Sequence, residues 1–511
     1  MAYAARFYLI EKNNSTEHNP YSVADMDHRP VYFLNLALKY IDDALAECGD
    51  EPPPLCILQA LIITGHCQLT EGVRGKAWRS LGICIRLAYE LNLHVVDAVS
   101  PGDATEVDEK QWCIDEEKRR AWWAVWEMDI FASTIRRCPS GIDRMQIETL
   151  LPAEDQFWFQ NKPRRSCFLE RDVVYTWKAL QQCGNQSPKA WYLVINCLMQ
   201  EARHLSSPRG VRSPPSRGNR SNKGSGDSVK ETREKLATLL NSIHCFVLAL
   251  PSHLWYRNQY LDFAERKPGQ TVFMRRLHSS IYSIYMMTQL AILMIHHYDA
   301  FGGPARVRRP AQSTNNHDIG RSVDDAPKPF STYSPDGVEN LALIQYFEAA
   351  DKILTIVQRS SPDHVQYINP CLANTIWLAS AVQLVRKEFV PPGTNRDLIK
   401  SKFEALYMTY KKSVEFWDIQ TTLQQNLELL EAQLGGFHIT RDQNHDQPSD
   451  STAQDGDQKV TSDTGSCTDD DYVLADARQE TSHTMYPVSG ESSARLTTNT
   501  AGDSLSNLIA I

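Results

Sequence analysis

The sequence predicts an all-α protein. Apolar residues recur at the spacing of amphipathic helices, as in the stripe Leu34, Leu38, Ile41 and Leu45, whereas the alternation that marks β-strands is almost absent. The chain has 511 residues, more than one ordinary hydrophobic core needs. We therefore expect two packed helical lobes, or one large domain with disordered additions.

Helical patterns follow one another along most of the chain. A second stripe runs from Ala77 to Leu91, and another runs from Leu423 to Leu434, where Gly435 and Gly436 are expected to form a C-terminal cap. Further helices are predicted over about 112–137, 168–182, 190–205, 229–249, 272–298, 339–359, 371–389 and 395–417.

The predicted helix 112–137 combines ion pairs with an aromatic face. Its i, i+4 pairs are Asp115–Arg119 and Glu116–Arg120. The aromatic face consists of Trp122, Trp123 and Trp126. The dipeptide Cys138-Pro139 is expected to end this helix, because the residue before a proline avoids helical geometry.

Three segments have the composition of disordered chain, being too polar to offset the entropy of ordering. They are a basic linker, 206–228, a loop, 304–337, and an acidic tail, 441–511. These segments divide the chain into an N-terminal segment, 1–30, a helical regulatory core, 31–205, a helical part, 229–303, and a C-terminal helical part, 338–440.

Charge and cysteine spacing restrict the function. The net charge is −9, so the chain has no basic excess to drive phosphate binding, and DNA contact must come from elsewhere. No two of the 12 cysteines form a C-x-x-C knuckle, which excludes a zinc module within this sequence and favours reduced, buried thiols. The apolar stretch from Ile281 to Ile295 is too short for a membrane span and is interpreted as a buried helix.

Two blocks of residues form one extended motif between about 54 and 152. The first block contains Ala77-Trp78, Leu81-Gly82, Arg86-Leu87-Ala88 and Leu93-His94. The second block contains Glu117, Arg119-Arg120, Trp122-Trp123, Asp129, Ser133, Pro139 and Leu151-Pro152. In order and spacing, the motif resembles the middle homology region of fungal binuclear zinc-cluster transcription factors.

The motif departs from the family pattern in two places. The family's usual Gly-Arg-Pro turn reads Arg137-Cys138-Pro139 here, and the six-cysteine cluster is absent. Zinc is therefore expected only if a cluster lies upstream, and no cofactor is expected in this chain. Either a DNA-binding exon precedes Met1, or the chain is a genuine cluster-less regulator that acts through a partner.

The resemblance implies a nuclear helical domain that holds transcription by RNA polymerase II in check or transmits an effector signal to it. Its implied partners are the transcription machinery or co-regulators, with a small-molecule effector and a homodimer left open, and it would meet DNA only through the missing module or a partner. The alternatives are a cluster-less co-regulator and a non-catalytic helical scaffold. An all-α enzyme is the remote alternative, because the sequence contains no P-loop, G-x-G-x-x-G, nucleophile elbow or H-E-x-x-H motif.

The motif also supports a packing hypothesis. The first helix would press Trp78, Leu81 and Ile85 against Trp122, Val125 and Trp126 of the second, with Gly82 and Ala88 allowing close approach. Arg86 and Asp129 lie on largely apolar helices, where unpaired charges are costly. We therefore expect Arg86 to pair with Asp129 or Glu90.

Each candidate residue also has a structural interpretation, which we favour. The tryptophan helix could stack nucleotide bases, but tryptophans at helical spacing are typical of a core. Arg119-Arg120 could bind an anionic effector, but upstream acids favour a solvated, ion-paired face. For His94 and His296-His297, positions near helix ends explain the residues better than metal ligation does. No catalytic, metal-binding or DNA-binding residue is identified in this chain.

Two polar segments could carry regulatory functions. The linker's scattered arginines could serve nuclear import, although a solvated linker is the simpler interpretation. In the tail, apolar side chains lie among aspartates, a composition that fits an activation segment or a plain disordered tail. The candidate activation residues are Asp469, Asp470, Asp471, Tyr472 and Leu474.

The charge balance leads to a prediction about DNA binding. In a mobility-shift titration with the purified chain, we expect weak binding or none, disappearing as the salt concentration rises, because non-specific binding depends on counterion release. Tight, sequence-selective binding by the chain alone would contradict this prediction.

Overall fold

The computed structural model describes residues 1–13, 29–98, 108–207, 224–264, 274–301, 341–389 and 395–445. The predicted all-α class is confirmed, since these residues form helices, turns and one isolated β-bridge between Leu261 and Ser360. The α-helices are α1 (Ala2–Asn13), α2 (Arg29–Cys48), α3 (Leu55–Glu71), α4 (Lys76–Glu90), α5 (Glu109–Arg136), α6 (Asp155–Phe159), α7 (Thr176–Cys183), α8 (Pro188–Ser206), α9 (Gly224–Ala249), α10 (Met274–Phe301), α11 (Leu341–Gln358), α12 (Ala373–Phe389), α13 (Arg396–Trp417) and α14 (Thr422–His445).

Several helices begin at side chains that cap the free backbone N–H groups of the first turn. Ser187 accepts from the amide of Ala190 at the start of α8, and Pro188 follows it in the first turn. Asp108 accepts from the amide of Lys110 at the start of α5, where an acidic side chain also suits the helix dipole. These local signals explain why the predicted and observed starts lie within a few residues of each other.

Some predicted boundaries are wrong. Helix α14 continues through Gly435 and Gly436 to His445, so the predicted glycine cap is not formed. A glycine in a helix interior costs only about 1 kcal/mol, which does not by itself stop a helix. Helix α9 begins at Gly224 rather than at 229, and α7 begins at Thr176 rather than at 168. Helices α1, α3 and α6 were not predicted.

The core is one contiguous cluster of buried side chains that extends along the chain from Ile41 to Leu434. Helices α8 and α10 pack against each other, and α10 also packs against α11. Helix α10 is buried on nearly all sides, which confirms the buried-helix interpretation of Ile281–Ile295. Within the described residues, no helix combines the length and apolarity that a membrane crossing requires. The predicted domain boundaries remain predictions.

A carboxylate hub joins the C-terminal helices. Asp351 of α11 accepts hydrogen bonds from Gln383 at 2.9 Å, Arg386 at 2.8 Å and Lys402 at 2.9 Å. Burial by itself raises the pKa of Asp351. The three donors lower this pKa by more than burial raises it, so the pKa lies below its usual range. The hub thereby fixes α12 and α13 against α11.

Helix α5 ends in a turn that a glycine would favour. The helix stops at Arg136, and Arg137 has a left-handed φ of 52°, with its amide directed at the carbonyl of Thr134. The predicted break at Cys138-Pro139 therefore comes one residue after the left-handed position. Arg137 stands where the family pattern has glycine, whose missing Cβ removes the steric cost of this conformation.

Replacing Arg137 by glycine is expected to stabilise the protein. The free energy of unfolding of Arg137→Gly should exceed that of Arg137→Ala by about 1 kcal/mol, because only glycine relieves the left-handed strain. Alanine is the matched control, since it also removes the guanidinium but keeps the Cβ. Denaturant unfolding monitored by circular dichroism measures the difference, and equal midpoints for the two variants would show that the turn is unstrained.

Candidate functional site

The two blocks of the sequence motif end side by side. The amide of Glu148 donates to the carbonyl of His94 at 2.7 Å, and the amide of Asp97 donates to the carbonyl of Glu148 at 3.0 Å. The hydroxyl of Thr149 donates to the carbonyl of Leu93 at 2.6 Å. The Leu-His that closes the first block and the Leu-Pro that closes the second are therefore parts of one local structure.

A buried carboxylate lies beside this junction. Glu116 of α5 is 1% exposed. Its Oε1 accepts from the Nε of Arg120 at 2.9 Å and from the amide of Ala153 at 2.9 Å, while its Oε2 lies 3.4 Å from Arg119. Burial raises the pKa of Glu116 against the attraction of the two arginines. The predicted pair Glu116–Arg120 is confirmed, and it also holds the segment that follows Leu151-Pro152.

Arg119 is not on the solvated face that the sequence suggested. It is 6% exposed and donates to both oxygens of Asp97, at 2.6 and 2.9 Å. Asp97 also accepts from the amide of Leu150 at 2.9 Å. The predicted partner, Asp115, pairs with Lys118 instead, so the pair Asp115–Arg119 is wrong. Although burial, the largest influence, lowers the pKa of Arg119, its contacts with Asp97 and Glu116 raise it overall.

The tryptophans of α5 belong to the core. Trp122 and Trp123 are completely buried, so neither offers a face on which a base could stack. The ring of Trp122 lies 5.6 Å from that of Tyr89 and 6.1 Å from that of His94. The indole N–H of Trp123 donates to the carbonyl of Leu150 at 2.7 Å, which adds a third link between α5 and the junction.

The packing hypothesis for the first block needs three corrections. Trp78 is only half-buried at the edge of the core, and its ring lies 4.8 Å from the guanidinium of Arg136. A Cβ added at Gly82 would meet nothing within 4 Å, so Gly82 does not mediate close packing. Arg86 is exposed and does not pair with Asp129 or Glu90. Helical spacing defined the face of α4 only approximately, since the apolar side chains at its edges are half-buried.

Close approach and charge neutralisation are achieved by other residues. A Cβ at Gly65 of α3 would lie 3.2 Å from the terminal methyl of Met128, so this glycine lets α3 approach α5. Asp129 is 1% exposed and accepts from the amides of Gly141 at 3.1 Å and Ile142 at 2.9 Å. Backbone amides can satisfy a buried carboxylate as a side-chain cation does. Asp129 therefore fixes the loop after α5.

The two prolines of the motif differ in environment. Pro139 is exposed in the loop after α5, whereas Pro152 is buried. The carbonyl of Pro152 accepts from Asn185 at 3.0 Å. The candidate activation residues, 469–474, lie outside the described residues, as do most of the predicted linker and all of the predicted loop.

A cleft of about 910 Å³ lies on the far side of the Glu116 network. Its walls come from α5, the segment 152–159, the start of α8 and the start of α10. Arg120 reaches from the network into this cleft, where it pairs with Asp155, and Asp155 also pairs with Arg276 of α10. The motif helix thus shapes one wall of the cleft.

The charges that line the cleft balance one another. The lining contains three cations, Arg120, Lys189 and Arg276, and three carboxylates, Glu127, Glu154 and Asp155. Burial lowers the pKa of His253, which also lines the cleft. The lining further contains hydrogen-bonding side chains, Gln156, Gln186, Ser187, Tyr192, Ser279, Ser280, Ser283 and Asn369, and the apolar residues Trp123, Pro152, Phe159, Pro188 and Leu277.

A smaller apolar cavity of about 70 Å³, which we call the chamber, adjoins the cleft. Glu127, Tyr192 and Asn369 line both spaces and so form the partition between them. Asn369 donates to Glu127 at 3.1 Å and lies 3.5 Å from the hydroxyl of Tyr192, while Lys189 pairs with Glu127 from the cleft side. This site was not predicted from the sequence, because its residues come from separate segments.

Among the described residues, no cluster of three or more histidine, cysteine or acidic side chains is arranged to hold a metal ion. Burial lowers the pKa of His94, of His296 and of His297, the last to about 4. This part of the chain thus contains a cleft lined by both polar and apolar side chains, with an apolar chamber beside it. Fold and site together define an all-helical protein with a cavity of the size and composition of a small-molecule site.

Comparison with known proteins identifies the family. The family model described as "Fungal specific transcription factor domain" matches residues 1–291, which is more than half of the chain. The chain therefore belongs to the fungal-specific transcription factor domain family. The matched region contains α1 to α9 and most of α10, and so contains most of the residues that line the cleft.

The chain is also similar to individual proteins named as transcription factors or transcriptional activators. The transcription factor tazR of Aspergillus terreus is 28% identical over 117 residues, which are 23% of this chain and 18% of that protein. The citrinin biosynthesis transcriptional activator mrl3 of Monascus ruber is 27% identical over 128 residues, 25% of each chain. The Zn(2)-C6 fungal-type transcription factor FTF1c of Fusarium oxysporum f. sp. lycopersici is 32% identical over 126 residues, 24% of this chain and 14% of that protein.

The matched segment thus spans a quarter or less of each of these relatives. No solved structure matches the chain.

The Glu116 network leads to a prediction about stability. Arg119→Met is expected to lower the free energy of unfolding by about 3 kcal/mol, because it leaves Asp97 and Glu116 without their shared cation in a buried site. Lys118→Met is the matched control on the same helix, since its ion pair with Asp115 is more exposed than the pair of Arg119 with Asp97. The control should change stability by less than about 0.5 kcal/mol. If the two variants lost the same stability in urea unfolding, the network would not be structurally important.

Proposed function

We propose that this chain is the helical regulatory module of a fungal transcription regulator, which acts in the nucleus and responds to a small molecule. The observation that carries the proposal is the cleft of about 910 Å³, to which the motif helix contributes Arg120 and Trp123. Small-molecule sites have volumes of about 300–1,000 Å³ and combine apolar surface with a few polar groups. Family membership provides the context in which such a site serves regulation.

Ion pairs connect the cleft to the other helices of the module. A ligand beside Asp155 contacts an acid that pairs with both Arg120 of α5 and Arg276 of α10. A ligand changes a protein's state only by binding one arrangement more tightly than another. If the pairing of Asp155 with Arg120 and Arg276 has two arrangements, a ligand that contacts Asp155 binds one of them more tightly. These pairs connect α5 to α10, so the choice between the arrangements affects helices that are far apart in the sequence.

Contact with DNA is assigned to another module or to a partner. The net charge of −9 gives the chain no general attraction for phosphate. Trp122 and Trp123 are buried, and Arg119 and Arg120 are held in ion pairs. The output of the module is therefore directed to co-regulators or to the transcription machinery.

Catalysis is a poorer explanation of the cleft. Its acids are engaged: Glu127 with Lys189, Asp155 with two arginines, and Glu154 with the amide of Gln186 at 3.0 Å. A general base needs a free lone pair directed at the proton that it removes. A non-catalytic scaffold remains the second candidate, because it would use the same packed helices without a transcriptional output.

A tethered reporter assay separates the regulator from the scaffold. With the full chain fused to a foreign DNA-binding domain, we expect reporter activation that requires the apolar side chains of the acidic tail. Replacing Tyr472, Val473 and Leu474 by serine should remove most of the activation, because acidic activation segments depend on apolar side chains held among charges.

The control for this assay replaces Leu496 of the same tail by serine and should leave activation unchanged. A silent reporter with a nuclear, well-expressed fusion would contradict activation by this chain. Silence together with residence in the cytosol would favour the scaffold.

A further inference from the structure

We infer that the cleft and the chamber form one binding site for an uncharged amphipathic small molecule, whose polar groups lie in the cleft and whose apolar end enters the chamber. The inference deepens the proposed effector response and rests on it for its biological meaning. The ligand class follows from three features of the site: its charge balance, the partition, and the methionines behind the partition.

The charge balance disfavours a charged ligand. Each cation of the cleft already faces a carboxylate: Arg120 and Arg276 share Asp155, and Lys189 pairs with Glu127. A ligand carboxylate would have to displace one of these acids and leave it unpaired, and a ligand ammonium beside Asp155 or Glu127 would have to displace a cation. Neutral hydroxyl and carbonyl groups avoid this cost, and the serine and amide side chains of the lining can bond to them.

The partition is polar, and Lys189 covers it on the cleft side. Tyr192 is 8% exposed, and Glu127 is also largely buried. The side chain of Lys189 is 42% exposed and forms only the cleft face of the partition. A ligand hydroxyl placed beside Glu127 and Asn369 would remain hydrogen-bonded while the apolar end passes inward.

The chamber suits a short, flexible apolar group. A cavity of about 70 Å³ is well below the roughly 150 Å³ that accommodates a benzene ring in a protein interior. Four methionines line it, Met128, Met199, Met287 and Met294, and unbranched thioether side chains adapt easily to an added group. His66 also lines the chamber, and it is hydrogen-bonded to Tyr3 of α1.

The methionine methyl groups provide a direct measurement. In the full chain labelled with [methyl-¹³C]methionine, we would titrate three probes with six-carbon chains, 1-hexanol, hexanoate and hexylammonium, of which only the terminal carbons need enter the chamber. We expect 1-hexanol to shift the four chamber methyl signals saturably, and both charged probes to bind at least about tenfold more weakly because of the cost of burying a charge. The exposed Met145, Met274 and Met408 are internal references whose signals should not move.

Two variants locate the binding. Thr375 lines the chamber, so Thr375→Leu should fill it and weaken 1-hexanol binding at least about tenfold, since overpacking leaves no room for the tail. Thr409→Leu, on α13 and outside both spaces, is the matched control and should bind as the unmodified chain does. If Thr375→Leu did not fold, the comparison of the three probes on the unmodified chain would still decide the question.

The inference is overturned if a charged probe binds as tightly as 1-hexanol, if the chamber methyl signals stay unmoved, or if the exposed methionines respond equally. Normal binding by Thr375→Leu would also overturn it. Because the titration requires no transcription, a silent reporter with intact 1-hexanol binding would contradict the proposed function alone. An active reporter without 1-hexanol binding would contradict the ligand site alone.

Discussion

The buried carboxylate of Glu116 is the constraint on which the rest of this structure depends. An isolated charge in a protein interior is very costly, so Glu116 is tolerable only where its donors are held in place. Arg119, Arg120 and the amide of Ala153 supply them. Because these donors lie on different segments, one acidic side chain fixes the position of α5 against the Leu-Pro segment. Arg120 also pairs with Asp155, so the same network fixes part of the cleft wall.

The family motif can be understood as the set of residues that builds this junction. The Leu-His and Leu-Pro ends are joined by backbone hydrogen bonds, and the two arginines and Trp123 connect the helix to them. These are positioning roles, so the motif does not need to contact DNA or ligand throughout. The departure at Arg137 affects only a turn, because the loop beyond it is held separately by Asp129.

Sequence analysis predicted the features that neighbouring residues determine and missed those that depend on contacts between distant segments. The long helices α2, α5, α8 and α10 follow from periodicity and capping, which neighbouring residues determine. The partner of Arg119 could not be found in this way, because Asp97 lies outside its helix and i, i+4 spacing pointed to Asp115. Helix α6 has only five residues, too few for a periodic signal. The cleft was missed because its walls come from four segments.

The rigidity of the Glu116 network also bears on where a ligand can act. Its carboxylate has several simultaneous donors, so moving one of them would leave a buried charge unsatisfied. The opposite wall is less constrained, because Lys189 is half-exposed and Arg276 is more exposed still, each held by one acid. If the cleft binds the proposed ligand, rearranging the starts of α8 and α10 would cost less than shifting α5. The motif helix would then be the fixed wall, and the response to binding would lie in the helices that face it.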